Sequence, residues 1–350
     1  MKANKLLIIL ILGFFPGCHQ EQNHFSFKKE ISLTGVEAKI KEVLNPESFL
    51  VFDSLLLIKE PHFTSDTRKK LKILNLNDFS LISNAVWLGR GPGEMVNPAS
   101  WVIDEEHKIL MFSDWGKHRI FMFPIDSLVS NPDFYATDYV SYHKAIFPMM
   151  NVFYHPSGNV GFTSFNLQQD IVSFIDKQGQ IVDSLAIPNK FNRDFWENAG
   201  FTDNPLILHY NPHHNKIVVA TKEENFIAVI DEEGNPVFQL EGPAVISESP
   251  NDMERWKKYK TFYQITSDQE FIYCLYRGGP MGFYDRELER LELNYPKTIL
   301  VFDWQGSARF KINLCHELLY MTVDAERNRL IGRIREFENQ LIIYDFSALK

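Results

Sequence analysis

Cysteine is scarce. Cys18, Cys274 and Cys315 are the three in 350 residues, so the chain is not a disulfide-stapled scaffold. A Cys274–Cys315 bridge and two free thiols both stay open at this level. Runs of lysine and arginine longer than Arg68-Lys69-Lys70 are missing, and 36 basic side chains face 45 acidic ones for a formal net charge of −9. That balance argues against a nucleic-acid partner. A sustained helical period is also missing, except across residues 285–293, where one helix is expected. The rest is ordinary globular composition, 45% hydrophobic and 14% aromatic, which excludes disordered, collagen-like and coiled-coil chains.

The apolar run nearest the N-terminus, residues 6–15, is ten residues long. A bilayer span needs about 20. Behind Lys2 and Lys5 the run fits the core of a signal peptide instead. Phe15-Pro16-Gly17-Cys18 follows and resembles a bacterial lipobox, with cleavage between Gly17 and Cys18 and lipidation of Cys18. Acyl chains on that thiol would anchor the chain, since each buried methylene adds about 0.8 kcal/mol. His19 stands where inner-membrane lipoproteins typically carry Asp, so the expected address is the outer membrane, facing the periplasm or the cell surface. Removing residues 1–17 takes away two lysines and no acid, shifting the net charge from −9 to −11. Residues 18–24 read as the lipidated cysteine and a polar tether, and residues 25–350 as one domain.

A repeat organises that domain. A β-rich run ending in Asp recurs six times, at Asp78, Asp126, Asp176, Asp231, Asp303 and Asp345, spaced 48, 50, 55, 72 and 42 residues apart. Three copies continue to Gly179, Gly234 and Gly306. Asp opens a turn with its side chain and Gly supplies the positive φ that completes it, so these acids are expected to make turns, not catalysis. Two more strand-like runs precede each Asp, and Pro46, Pro98, Pro148 and Pro205 stand near unit starts, where a strand tolerates proline. Six units of about 50 residues with three or four strands each predict an all-β, six-bladed β-propeller. Blades are expected to begin near residues 46, 98, 148, 205, 261 and 318. The last blade runs out of chain before a fourth strand, and an unpaired edge would remain. Residues 25–33 are expected to close it by pairing with residues 341–344.

The signal with Cys18, the six units and the string Gly89-Arg90-Gly91-Pro92-Gly93-Glu94 together resemble the TolB-like six-bladed β-propeller lipoproteins of Gram-negative bacteria. The resemblance implies fold and envelope location. It brings no catalytic residues with it.

Residues 89–94 lack the Lys-Ser/Thr of a phosphate-binding loop and lead into a strand, so they read as an inter-blade loop. Arg90 is expected to pair with Glu94 or with neighbouring carbonyls, or both to face a ligand. His107, His155, His213 and His214 fall in turns between first and second strands. No Cys-x-x-Cys supports a zinc site, and without a Gly-x-Ser-x-Gly no catalytic constellation is singled out. Residues 188–204, 242–260 and 277–297 form long connections, which in a compact domain are often functional. They carry Arg193 and Trp196, then Arg255, Trp256 and Tyr259, then Phe283, Tyr284 and Tyr295, with Trp115 and Arg119 near a corresponding loop. Aromatics and arginine are enriched at binding hot spots. The face bearing these loops, with Arg90 and Glu94, is therefore the expected binding face for an envelope protein, peptide or glycan, with no cofactor. The alternative is a lactonase-like metal-dependent hydrolase or lyase. It would hold Ca²⁺ at the channel mouth through Asn45, Asn97, Asn204 and Glu317, whose oxygen ligands suit that ion.

Overall fold

The computed structural model describes residues 25–38, 40, 46–61, 68–164, 171–186, 206–242, 256–335 and 341–347. Within them the chain forms six antiparallel blades around a central axis. Blade one comprises Ser48–Phe52, Leu55–Lys59, Lys69–Asn75 and Leu81–Trp87. Blade two comprises Pro98–Asp104, Ile109–Asp114, Arg119–Pro124 and Asp138–Ser141. Blade three comprises Met149–Tyr154, Val160–Ser164, Ile171–Ile175 and Ile181–Ala186. Blade four comprises Leu206–Asn211, Lys216–Thr221, Phe226–Ile230 and Pro236–Glu241. Blade five comprises Tyr259–Ser267, Phe271–Pro280, Thr298–Asp303 and Ala308–Leu314. Blade six comprises Tyr320–Asp324, Arg329–Arg333 and Leu341–Asp345, completed from the N-terminus. The first strands begin within two residues of the expected blade starts.

Alternation along the strands builds the core. Successive side chains point to opposite faces of a blade. Leu110 and Phe112 therefore pack toward blade one, while Met111 between them packs toward blade three. In the same way Ile217 and Val219 face blade three, while Val218 and Ala220 face blade five. Among the described residues each of the six blade–blade seams has its own apolar cluster. The middle strands lie between two neighbours, so Phe226–Ile230 is buried throughout, whereas rim strand Ile181–Ala186 is mostly exposed.

The expected Asp turns form. Asp176 Oδ1 accepts from the amides of Gln178 and Gln180, both at 2.9 Å. Asp231 Oδ1 accepts from Glu233 (3.1 Å) and Asn235 (2.7 Å). Asp303 Oδ1 accepts from Gln305 (3.0 Å) and Ser307 (2.8 Å). Gly179, Gly234 and Gly306 follow at φ +75°, +82° and +86°, a region where a side chain would be strained.

Three local expectations are corrected. Asp126 lies in the short helix Ile125–Ser130, not a turn. The chain must there cross to the rim, and a helical turn buries Ile125 and Leu128 in the seam of blades one and two, where Ser83 Oγ donates to the Leu128 carbonyl at 2.7 Å. Residues 285–293 are no helix. Gly282–Asp285 and Arg290–Leu293 pair as a β-hairpin between the second and third strands of blade five. Finally, the N-terminus closes the ring one segment later than expected. Lys29–Leu33 adds in parallel to the outer strand of blade five, with Ile31 opposite Ile312 and Glu30 bonded to Lys311 (3.0 Å) and Asn313 (2.7 Å). The chain then crosses the seam, and Val36–Glu37 pairs antiparallel with Ile342 and Ile343 of blade six. The Ala38 amide donates to the Leu341 carbonyl at 3.0 Å, and Ala38 and Ile40 are buried in the seam with blade one.

Candidate functional site

The first strands of all six blades line an open axial channel of about 1760 Å³. Its two mouths differ in charge. The first-to-second-strand turns bring Asp53, Glu105, Glu106, Glu270 and Glu326 to one mouth. At the other, Glu47 takes Lys59 at 2.8 Å and Lys70 at 3.3 Å. Burial alone would raise the Glu47 carboxyl, but the two lysines outweigh it and hold it below the usual range. Asn97 also lines this mouth, where buried Asp114 accepts its amide at 2.9 Å and those of Val96 (2.7 Å) and Gly116 (2.8 Å).

Polar struts tie neighbouring first strands together across the channel wall. Gln264 exchanges two hydrogen bonds of 2.7 Å with the Met321 backbone. Trp101 Nε1 donates to Ser48 Oγ at 3.0 Å. His209 Nε2 lies 2.8 Å from Ser267 Oγ, which also accepts from Asn211 Nδ2 at 2.8 Å. Burial pulls His209 down to about 4, so its ring is neutral at pH 7. The Asn211 bond occupies one lone pair of Ser267, leaving the hydroxyl proton and a second lone pair to meet the imidazole according to its tautomer. A serine hydroxyl beside a neutral imidazole resembles an activated nucleophile. The remaining requirement is a group that orients the far ring nitrogen, and no carboxylate partner for His209 Nδ1 is found among the described residues. The trio is a strut between blades four and five. His213, four residues from His209, turns to Glu105 at 3.8 Å, because a strand and its turn separate what a helix would align. His107, His155 and His214 sit in first-to-second-strand turns as expected, bonded to Asp104 (2.8 Å), Ser157 (2.8 Å) and the Gln269 carbonyl (2.7 Å) respectively.

The glycine-rich loop is held together differently from the expectation. Glu94 does not pair with Arg90. Its Oε2 accepts the Gly91 amide of its own loop at 2.8 Å, and its carboxylate meets Arg68 at 3.4 Å. Lys117 of blade two inserts its ammonium between the carbonyls of Gly91 (2.8 Å) and Glu94 (2.7 Å). Gly93, at φ +73°, packs so closely that a Cβ would lie 2.7 Å from the Ala136 carbonyl. Arg90 stays exposed.

The other candidates divide. Trp115 is a strut, donating from Nε1 to the Met149 carbonyl at 2.9 Å. Arg119 lies over the Tyr139 ring at 4.1 Å on the outer strands of blade two. The Tyr259 hydroxyl is hydrogen-bonded to the Gly278 carbonyl. Trp256 is half-buried beneath Lys257, whose ammonium lies 5.0 Å from its ring. Phe283 and Tyr284 project from the hairpin into solvent. Arg193, Trp196, Arg255, Asn45 and Asn204 lie outside the described residues. Glu317 acts on Arg277 and does not line the channel with Asn97. Cys274 is buried and Cys315 exposed, both as free thiols.

Sequence reading named Tyr295 as a loop residue but missed the cluster it joins. Tyr295, on the return from the hairpin, meets Tyr263 edge-on with ring centroids 6.3 Å apart. The Arg277 guanidinium lies over both rings, 5.3 Å from Tyr263 and 5.9 Å from Tyr295. Arg335 lies 5.7 Å from the Tyr295 ring. Arg333, at the end of its strand, also acts electrostatically on both tyrosines. Burial lowers both Arg277 and Arg333 from the ordinary guanidinium range, and raises Tyr263. Only convergence of blades five and six brings these residues together, so no local motif announces them.

Six antiparallel blades around an open channel define a β-propeller. The chain belongs to the TolB-like 6-blade propeller-like family, whose model matches residues 26–326. Among solved structures it is similar to a DUF4221-family member from Bacteroides vulgatus, at 11% identity and TM-score 0.57, covering 93% of this chain and 99% of that one. It is similar also to a putative exported protein from Bacteroides fragilis, at 13% identity and TM-score 0.52, covering 90% and 98%. These likenesses show the fold. No curated protein matches.

Proposed function

We propose that this protein is a lipid-anchored binding module of the cell envelope, which holds a protein, peptide or glycan partner on its loop-rich face. The hairpin of blade five carries the reading. Phe283, Tyr284, Leu288 and Leu291 are 43–56% exposed on a two-stranded sheet that pairs with no blade. Exposed apolar side chains gathered on one projection mark an interaction site more than scattered ones do. Supporting this, the two arms pair in unbroken register from Gly282 opposite Leu293 to Asp285 opposite Arg290, so the hairpin offers its side chains from an ordered backbone. Acylation at Cys18 would leave residues 19–24 as tether, and six extended residues reach about 20 Å. The body would then work close to a membrane surface.

A photoreactive amino acid placed at Tyr284 in cells tests the reading, with Val182, equally exposed on the rim of blade three, as the comparison site. Discrete adducts at 284 and none at 182 are expected. Equal labelling at both sites, or none at 284, would overturn it.

A further inference from the structure

The cluster between blades five and six has an imbalance that hydrogen-bond accounting exposes. Arg277 Nε is buried without a partner, and among the described residues neither Arg277 nor Arg335 makes a hydrogen bond or a carboxylate ion pair. The hydroxyls of Tyr263 and Tyr295 make no hydrogen bond to a described residue either. Folded proteins satisfy the great majority of buried polar groups, so the buried Arg277 Nε calls for an explanation. All four side chains offer donors: guanidinium has five N–H groups and no acceptor, and a neutral phenol offers its O–H. Two guanidiniums, Arg277 and Arg335, bring positive charge to the Tyr295 ring, and the Glu317 carboxylate acts on Arg277 only after the two rings.

A group that accepts and never donates, and that carries negative charge, completes this set. We propose that the seam between blades five and six is an oxyanion site, which takes a carboxylate, sulfate or phosphate group of the ligand docked on the loop face. Arg277 supplies the charge-assisted donors, for which planar guanidinium is suited. Arg335, exposed at the rim, meets the anion first. Tyr263 and Tyr295 hold Arg277 by stacking and add hydroxyl donors. The hairpin serves the site directly, because its return strand Arg290–Leu293 leads straight into Tyr295. The acidic turns at the opposite channel mouth repel anions, so approach is steered to the loop face. The origin of the anion rests on the loop-face reading; the site itself does not.

The test is calorimetric titration of the full-length chain in detergent with sodium sulfate, inorganic phosphate and sodium glutarate, at constant ionic strength. One saturable site is expected. Arg277→Met should weaken it by roughly tenfold or more, equivalent to about 1.4 kcal/mol. Tyr295→Phe and Arg335→Met should weaken it severalfold, and either keeps the test decisive if Arg277→Met does not fold. Lys29→Met, which removes a cation over Phe310 on the rim of blade five, should leave it unchanged. Preference for the tetrahedral anions would assign a sulfated or phosphorylated ligand, and preference for glutarate a carboxylate. Absence of saturable binding, or binding that Arg277→Met, Tyr295→Phe and Arg335→Met leave intact, would overturn the site. If anion binding fails while Tyr284 still crosslinks, only this inference falls. If crosslinking fails while the anion binds, only the docking reading falls.

Discussion

Lys117 closes the loop that Glu94 begins. Its ammonium lies 2.8 Å from the Gly91 carbonyl and 2.7 Å from the Glu94 carbonyl, although it belongs to the next blade. The glycines let the chain fold tightly enough to present two carbonyls to one cation. Hydrogen bonds to charged groups contribute about 1.5–3 kcal/mol each, partly offset here by the solvent that still reaches the lysine. Lys117→Met is expected to cost about 2 kcal/mol and to lower the Tm by a few degrees in calorimetry. Arg90→Met, at an exposed side chain of the same loop, should leave the Tm within error. Equal effects would mean that the loop does not depend on Lys117.

Ring closure depends on a very short join. Val36, Glu37 and Ala38 complete blade six, while Lys29–Leu33 merely thickens blade five. Ala38→Pro deletes the amide bond to Leu341 and forces a ring into a buried position, at a cost of about 3 kcal/mol. Ser32→Pro should cost less, because the strand it disturbs is not needed for closure. Thermal unfolding monitored with size-exclusion chromatography should show Ala38→Pro melting earlier and associating through the opened edge. A larger loss from Ser32→Pro would show that the parallel strand is the true closure.

His209 makes stability pH-dependent. Its folded pKa, about 4, lies below the ordinary 6.5, so the unfolded chain takes up a proton first as pH falls. The contribution is fully present above pH 6.5 and is lost progressively between 6.5 and 4, by up to about 3 kcal/mol. His155, also pulled down by burial, acts with the same sign, so the informative quantity is the difference between wild type and His209→Gln. Urea unfolding at pH 7, 5.5 and 4.5 should show a shallower decline in the variant. Parallel declines would sink the assignment.

The two body cysteines should react unequally. Burial pushes the Cys274 thiol far above the ordinary range, and Cys315 is exposed near the Gly35 amide at 3.4 Å. A maleimide should label Cys315 in the folded chain and Cys274 only in denaturant. Labelling of neither thiol in the folded protein, restored by reductant, would indicate a bridge.

Much of this architecture was legible because it is periodic. The Asp turns at 176, 231 and 303, the blade starts and the six seams follow from a two-residue side-chain period interrupted by turn residues, and such patterns are local. Local reading failed where a segment had a choice of partner. Residues 29–33 suit any strand edge, and only the direction of the chain past blade five decided that they pair in parallel there and leave closure to Val36 and Glu37. Residues 285–293 carry leucines at a spacing that suits a helix, yet the two arms around them find hydrogen bonds in each other. The binding-face residues split for the same reason. Trp115 and Tyr259 spend their polar atoms on neighbouring backbone, while Phe283 and Tyr284 stay free. Tyr263, Arg277, Tyr295, Arg333 and Arg335 span more than seventy residues of chain, and their meeting has no signature in any local window. Amino-acid order determined what each strand would bury. Which of these side chains came to face one another was decided by the packing of the fifth blade against the sixth.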